Sequence, residues 1–375
     1  MVKTGVIGAV VVIIVVIVAA AAYIGTQPAA PSTTTPTTTT PKTTTTTTTT
    51  TAEEPLKVAV IYISPLEGEY WNLQLHEPLL DAVDTYGIEY NYTESVAPPD
   101  ADRIARTYID QGYELLFFHS WFPDAIKMVG TEFPNVVALG AGGGTELVVL
   151  YPPPVEVPSN VGHYDTYMHE SGYLNGVLAG SMTKTNKIGI VTGFPVANVN
   201  RYHNGFIQGA REVNPEVEIK MTYIYSWSDP PLGKESALAF IEWGADFIYS
   251  DMLPGAEAGV EEAWTKQIAT EENPIYVISI FKAMPELAPN SMISSNVWDL
   301  RSTVDKVVSD TIDGNFEARE YLYGIEEHGA ELVVNMPEKV PDDILDLLEF
   351  LEQSINDGQL VILPNINDPE QVWGL

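Results

Sequence analysis

The chain has 375 residues, with 18 Lys and Arg against 51 Asp and Glu for a formal net charge of -33, 45% hydrophobic residues and no cysteine. That hydrophobic fraction supports a sizeable buried core and excludes a wholly disordered acidic chain. The acid excess repels phosphate polymers and excludes a nucleic-acid partner, and the lack of cysteine excludes disulfides, thiolate metal sites, a cysteine nucleophile and a lipid carried on sulfur.

In chain order, the first element is an uncharged run of Val, Ile and Ala over residues 5–25, preceded by Lys3. As a helix rising about 1.5 Å per residue it would reach about 30 Å, one hydrocarbon core. Residues 1–25 are therefore expected to form a single transmembrane anchor whose lone Lys3 keeps the N-terminus inside. The small residues Ala19, Ala20, Ala21 and Ala22 leave a cleaved signal peptide as the competing reading. Residues 26–55 are rich in Thr and Pro, with an unbroken Thr run over 43–51. Such a segment buries too little apolar surface to order itself, so it reads as a disordered stalk, with the composition of an O-glycosylated tether. The sequon Asn91-Tyr92-Thr93 fits a glycoprotein with an external surface.

From residue 57 short apolar strands alternate with amphipathic helices, the pattern of parallel α/β units. Strands are expected over 58–63, 114–118 and 136–139, with helices over 79–86 and 104–111. A second series follows, with strands over 188–191, 217–224, 246–250 and 275–280 and helices over 204–213, 234–243 and 256–269. Ligands of such sheets sit beyond the carboxyl ends of the strands, so the loops there are where function is sought. Several of those loops deliver aromatics: Glu67-Gly68-Glu69-Tyr70-Trp71-Asn72, His119-Ser120-Trp121-Phe122 and Ser226-Trp227-Ser228. Their recurrence points to a shared aromatic cleft.

Tyr70-Trp71-Asn72, Trp121-Phe122-Pro123-Asp124-Ala125, the run from Glu170-Ser171-Gly172-Tyr173-Leu174 to Met182-Thr183-Lys184, Asn204-Gly205-Phe206 and Gly244-Ala245-Asp246 together resemble the basic membrane protein family of ABC transporter substrate-binding proteins, which includes purine nucleoside receptors. The resemblance covers about residues 56–362. It implies a type I periplasmic-binding-protein fold: two doubly wound α/β lobes joined by a hinge of crossing strands. Lobe 1 is expected over 56–185, with returning segments within about 295–375, and lobe 2 over 186–294. Residues 170–182 read as a helix at the lobe boundary, where Gly172, Gly176 and Gly180 permit close approach.

By the same resemblance Tyr70 and Trp71 fall where the family stacks a base, and Asn72 where it places a hydrogen-bonding group. Trp121 and Phe122 fall on the second cleft loop, and Asp251 on the loop that reaches the ligand from the second lobe. Nucleoside-binding members carry an acid and a lysine where this chain has Ser279-Ile280-Phe281 and Ser294-Ser295-Asn296-Val297-Trp298. With those ribose contacts missing, and Trp298 in place, a free purine base ranks above a nucleoside. No enzyme is expected: Gly140-Ala141-Gly142-Gly143-Gly144-Thr145 lacks the lysine of a P-loop, no His-Glu-x-x-His or Gly-x-Ser-x-Gly occurs, and Glu67 and Glu69 read as a solvated acidic loop. The expectation is a monomeric receptor without cofactor or metal, held at the cell membrane with its binding module outside, serving an ABC permease and ATPase. A surface sensor or adhesive protein on the same fold is the alternative.

Overall fold

The computed structural model describes residues 54–375 apart from Gly144 and Ser228. The expected anchor and nearly all of the stalk lie outside the described residues, among which no helix is long and apolar enough to cross a membrane.

Two six-stranded sheets organise the chain. The first is built from β1 (Lys57–Tyr62), β2 (Glu89–Thr93), β3 (Leu115–His119), β4 (Val137–Ala141), β5 (Val161–Thr166) and, much later, β11 (Glu320–Tyr323), in the order β11-β5-β4-β3-β1-β2, with every pairing parallel. Its helices are α1 (Tyr70–Tyr86), α2 (Ala101–Asp110), α3 (Pro123–Glu132) and the short α4 (Leu147–Leu150). Strands covered on both faces need continuous apolar sequence. That is why Val58, Ala59, Val60 and Ile61 in β1, and Leu115, Leu116, Phe117 and Phe118 in β3, are all fully buried. Each large side chain so enclosed contributes about 1.5–3 kcal/mol.

The second sheet contains β6 (Lys187–Thr192), β7 (Glu218–Tyr223), β8 (Phe247–Ser250), β9 (Tyr276–Phe281), β10 (Met292–Trp298) and β12 (Ala330–Val334), in the order β12-β10-β9-β8-β6-β7. Only β12 runs antiparallel to its neighbour. Helices α5 (Met168–Met182), α6 (Ala197–Val213), α7 (Pro230–Trp243), α8 (Gly255–Thr265) and α10 (Asp342–Asn356) accompany it, and α11 (Pro369–Trp373) lies against α6. The remaining helix, α9 (Arg301–Ile312), returns to the first sheet and packs on α1 and β11. The chain thus passes between sheets three times: after β5, after β10, and between β11 and β12.

Three local features differ from expectation. Helix α1 begins at Tyr70, so the aromatic pair expected in a loop forms the first turn of a helix, while α6 starts at Ala197, well before residue 204. Helix α5 packs on β10, β12 and α6. The change of lobe therefore falls at residues 166–168, short of the boundary expected at 185. The cause is backbone contact: a Cβ on Gly176 would stand 2.0 Å from the Phe206 carbonyl oxygen, and one on Gly209 2.1 Å from that of Tyr173. Side chains at these positions would drive α5 and α6 apart.

Candidate functional site

Loops at the carboxyl ends of the strands from both sheets enclose a cavity of about 600 Å³. That is within the range of small-molecule sites, about 300–1,000 Å³. Lobe 1 contributes Ser64, Glu69, Tyr70 and Trp71 after β1, Ser120 and Trp121 after β3, and Gly142 and Gly143 after β4. Lobe 2 contributes Phe194 after β6, Asn198 from α6, Trp227 after β7, Asp251 and Leu253 after β8, and Phe281 at the end of β9. Phe281 has φ 78, a left-handed backbone that costs a bulky residue about 1–3 kcal/mol and tends to occur at functional sites.

Trp71 lies on a layer of rings. Its centroid is 3.9 Å from His119 and 5.3 Å from Trp298, nearly parallel to both. His119 and Trp298 are themselves 5.8 Å apart. Were they on opposite faces of Trp71, their separation would approach the sum of the first two distances, so both lie beneath the same face. The other face belongs to the cavity that Trp71 lines. His119 is fully buried; burial lowers its pKa to about 3, so it is neutral. Its Nε2 lies 3.2 Å from the Trp71 carbonyl and its Nδ1 2.7 Å from the Tyr164 hydroxyl. A carbonyl can only accept, so Nε2 carries the hydrogen and Nδ1 accepts from Tyr164. The imidazole thus fixes the first turn of α1 from below.

Two acidic residues line the cavity from opposite lobes. Asp251 has its side chain fully enclosed. Its Oδ2 accepts hydrogen bonds from the Thr192 hydroxyl at 2.7 Å and the Tyr202 hydroxyl at 2.5 Å, while Oδ1 has no partner. Glu69, half-buried, is pushed up to about 7 by burial; a hydrogen bond from Ser64 opposes the rise, and nearby Asp251 adds to it. Behind Asp251, the fully buried Glu257 finds no hydrogen-bond partner outside its own residue and is pushed up to about 8, chiefly by burial. Near the first crossover, an Arg201 Nη donates to Asp165 at 2.5 Å and to the Thr166 carbonyl at 2.8 Å, an ion pair joining β5 to α6. Among the described residues no group of three or more His, Asp or Glu is placed to hold a metal.

Of the residues expected to contact the ligand, Tyr70, Trp71, Trp121 and Asp251 line the cavity together, joined by Trp227 from the third aromatic loop. The others are placed differently. Phe122 turns inward beside Phe118 into the core of lobe 1 and is 1% exposed. Asn72 is buried, and its Nδ2 donates to the Ser64 carbonyl, the Ser64 hydroxyl and the Pro65 carbonyl, tying the loop after β1 to α1. Trp298 supports Trp71 from beneath and does not reach the main cavity. Glu69, read as solvated, lines the cavity, whereas Glu67 is exposed. Sequence reasoning missed His119, Phe194, Asn198 and Phe281 as members of the site. Position at a strand end would have flagged three of them: Phe194 lies just beyond β6, and His119 and Phe281 are the last residues of β3 and β9.

The family described as ABC transporter substrate-binding protein PnrA-like matches residues 56–369. A purine-binding protein of Brucella abortus is 27% identical, over 82% of this chain and 83% of its own length. A Haloferax volcanii protein carrying the tentative name of an ABC transporter glucose-binding protein is also 27% identical, over 85% of this chain and 74% of its own length. Among solved structures, a solute-binding protein of an ABC transporter system from Aeropyrum pernix superposes with a TM-score of 0.69 at 18% identity, over 83% of this chain and 94% of that one. One from Conexibacter woesei gives 0.65 at 23% identity, over 83% and 99%. These structural likenesses establish the two-lobed α/β fold.

Proposed function

The chain belongs to the family of PnrA-like ABC transporter substrate-binding proteins, and from that premise we propose that it captures a purine, a free base ahead of a nucleoside, between its lobes. It then delivers the purine to an ABC permease and ATPase. The observation that carries this reading is Trp71, backed by a stacked layer, in a cavity that Asp251, with its unpartnered Oδ1, lines from the other lobe. A flat base on that face gains roughly 1–3 kcal/mol. Its ring and exocyclic N–H groups suit the carboxyls of Asp251 and Glu69, and a ligand lacking those donors leaves a buried acceptor unpaired. Tyr70 and Trp121 flank the ring. Residues 1–25 would hold the receptor in the membrane and the Thr-rich stalk would set the binding module outside it.

Calorimetry with adenine, guanine, hypoxanthine, adenosine, guanosine and inosine tests the assignment, with binding of at least one base expected. Nucleosides binding while bases stay silent would reverse the ranking; silence from all six would end the purine reading. Glucose belongs in the panel, since an aromatic platform with a carboxyl acceptor also suits a pyranose. In Trp71→Ala, affinity should fall by roughly 1–3 kcal/mol, and unchanged affinity would refute stacking. Failure to bind any small solute together with binding to a surface polymer would favour a surface sensor or adhesive protein.

A further inference from the structure

We propose that the cavity selects a solute carrying positive charge on or beside its flat ring: a protonated, N-alkylated or ammonium-bearing heterocycle. The inference rests on the reading of the cavity as a solute site and narrows its chemistry. Among the described residues, the ionisable carboxyl residues that line the cavity are Glu69 from one lobe and Asp251 from the other, and no Lys, Arg or His lines it. The basic groups nearby are engaged elsewhere. Arg201 is held by Asp165, and Lys282 is paired with Glu77. His203 lies 3.7 Å from Asp251, but burial keeps its pKa below the usual value.

The wall is built to receive charge from the ligand. The Asp251 side chain is enclosed beneath the lining of the cavity, its Oδ2 taken by two hydroxyl donors and its Oδ1 without a partner. A buried carboxylate oxygen without a donor is costly, and a ligand cation or its N–H supplies what is missing. The rings of Tyr70, Trp71, Trp121, Phe194 and Trp227 line the same space. Their π faces attract a cation within about 6 Å, whereas a phosphate would meet two carboxyls and no counter-charge. The location of the acids adds a consequence for motion. Glu69 and Asp251 come from different lobes, so closing an empty or neutrally filled cleft presses like charges together. A cation between them turns that repulsion into attraction, giving the closed form the differential affinity that a ligand needs in order to shift an equilibrium.

The same geometry predicts proton linkage. Glu69 is half protonated near pH 7 and is faced by the Ser64 hydroxyl and by Asp251, with Glu257 buried behind. A bound cation favours its ionised form, so binding releases protons and strengthens between pH 6 and 8.

The test uses the full-length protein and two isomeric probes: 1-methyladenosine, cationic at neutral pH, and N6-methyladenosine, neutral. Adenosine 5′-monophosphate and thiamine complete the set, and calorimetry at pH 7 is run in two buffers of different ionisation heat. The expected result is at least tenfold tighter binding of 1-methyladenosine than of its isomer. Protons should be released only with the cation, and the monophosphate should bind weakest. In Asp251→Asn and in Glu69→Gln the ratio between isomers should fall toward one, and Glu69→Gln, at a partly exposed position, should also abolish proton release. Equal or tighter binding of N6-methyladenosine overturns the charge inference and leaves the purine reading standing. Binding of thiamine with silence from every purine upholds the charge inference and overturns the purine reading. Silence from both cations overturns the inference.

Discussion

The two walls of the cavity are built on different principles. The wall from lobe 1 is layered: Trp71 rests on His119 and on Trp298 of the second sheet, His119 is hydrogen-bonded at both nitrogens, and Glu69 is its one acid. The wall from lobe 2 is electrically loaded and loosely covered. Its Asp251, and Glu257 behind it, carry buried oxygens without partners, and its Trp227 is 41% exposed. A stacked ring surface fixes the orientation of a flat solute but discriminates little among solutes that share a flat face. A surface with unsatisfied atoms discriminates strongly and is incomplete until something binds. On this view the rings of lobe 1 position, and lobe 2 selects together with Glu69.

The largest effect expected from breaking this division is on the layered wall. Trp298 is 2% exposed beneath Trp71, so Trp298→Ala should cost about 3–5 kcal/mol in urea unfolding. It should also weaken solute binding, because Trp71 loses its support. A variant of near wild-type stability would show that the layer is not structural and that the walls are alike.

Next in size is the selecting wall. Glu257 would have its carboxyl near pKa 4.5 when unfolded, against about 8 in the fold. Between those values the native state holds a proton that the unfolded state has lost, so this contribution is fully present below pH 4.5 and is lost as pH rises through 8. Each pH unit crossed in that window removes at most about 1.4 kcal/mol. The solute-free protein should therefore melt at a lower temperature at pH 8.5 than at pH 5, and Glu257→Gln should flatten that slope. An unchanged slope in the variant would place the titration elsewhere.

The fold was legible because parallel strands buried on both faces must be continuously apolar, and segments such as Val58-Ala59-Val60-Ile61 admit few other readings. The ownership of α5 was not legible. It depends on glycines of two helices meeting backbone to backbone, as Gly176 and Gly209 do, and spacing on one helix does not name its partner. Residue type and strand-end position pointed to Tyr70, Trp71 and Trp121, and the family resemblance to Asp251; all four line the cavity. They could not tell Trp121 from Phe122, because adjacent residues leaving a strand point to opposite sides. Nor could they show that Glu69 is half enclosed while Glu67, two residues earlier, faces solvent.

The smallest effect, and the finest test of the contrast, concerns Trp121, the outermost ring of the positioning wall. It is 55% exposed, while Phe122 beside it is 1% exposed in the core. Surface substitutions away from special features usually change stability by no more than about 0.5 kcal/mol, so Trp121→Ala should unfold almost as the wild type does. Because Trp121 lines the cavity, the same variant should lose solute affinity, by about 1 kcal/mol if its ring covers only the rim of a ligand already stacked on Trp71. Trp227→Ala, at the facing rim, removes a ring of similar exposure and is the matched control. If the rings of lobe 1 position and lobe 2 selects, losing Trp121 should weaken all flat solutes by a similar factor, while losing Trp227 should change the order in which they bind. Measuring both variants against one panel of solutes decides the matter, and a reordering caused by Trp121→Ala alone would assign selection to the wrong lobe.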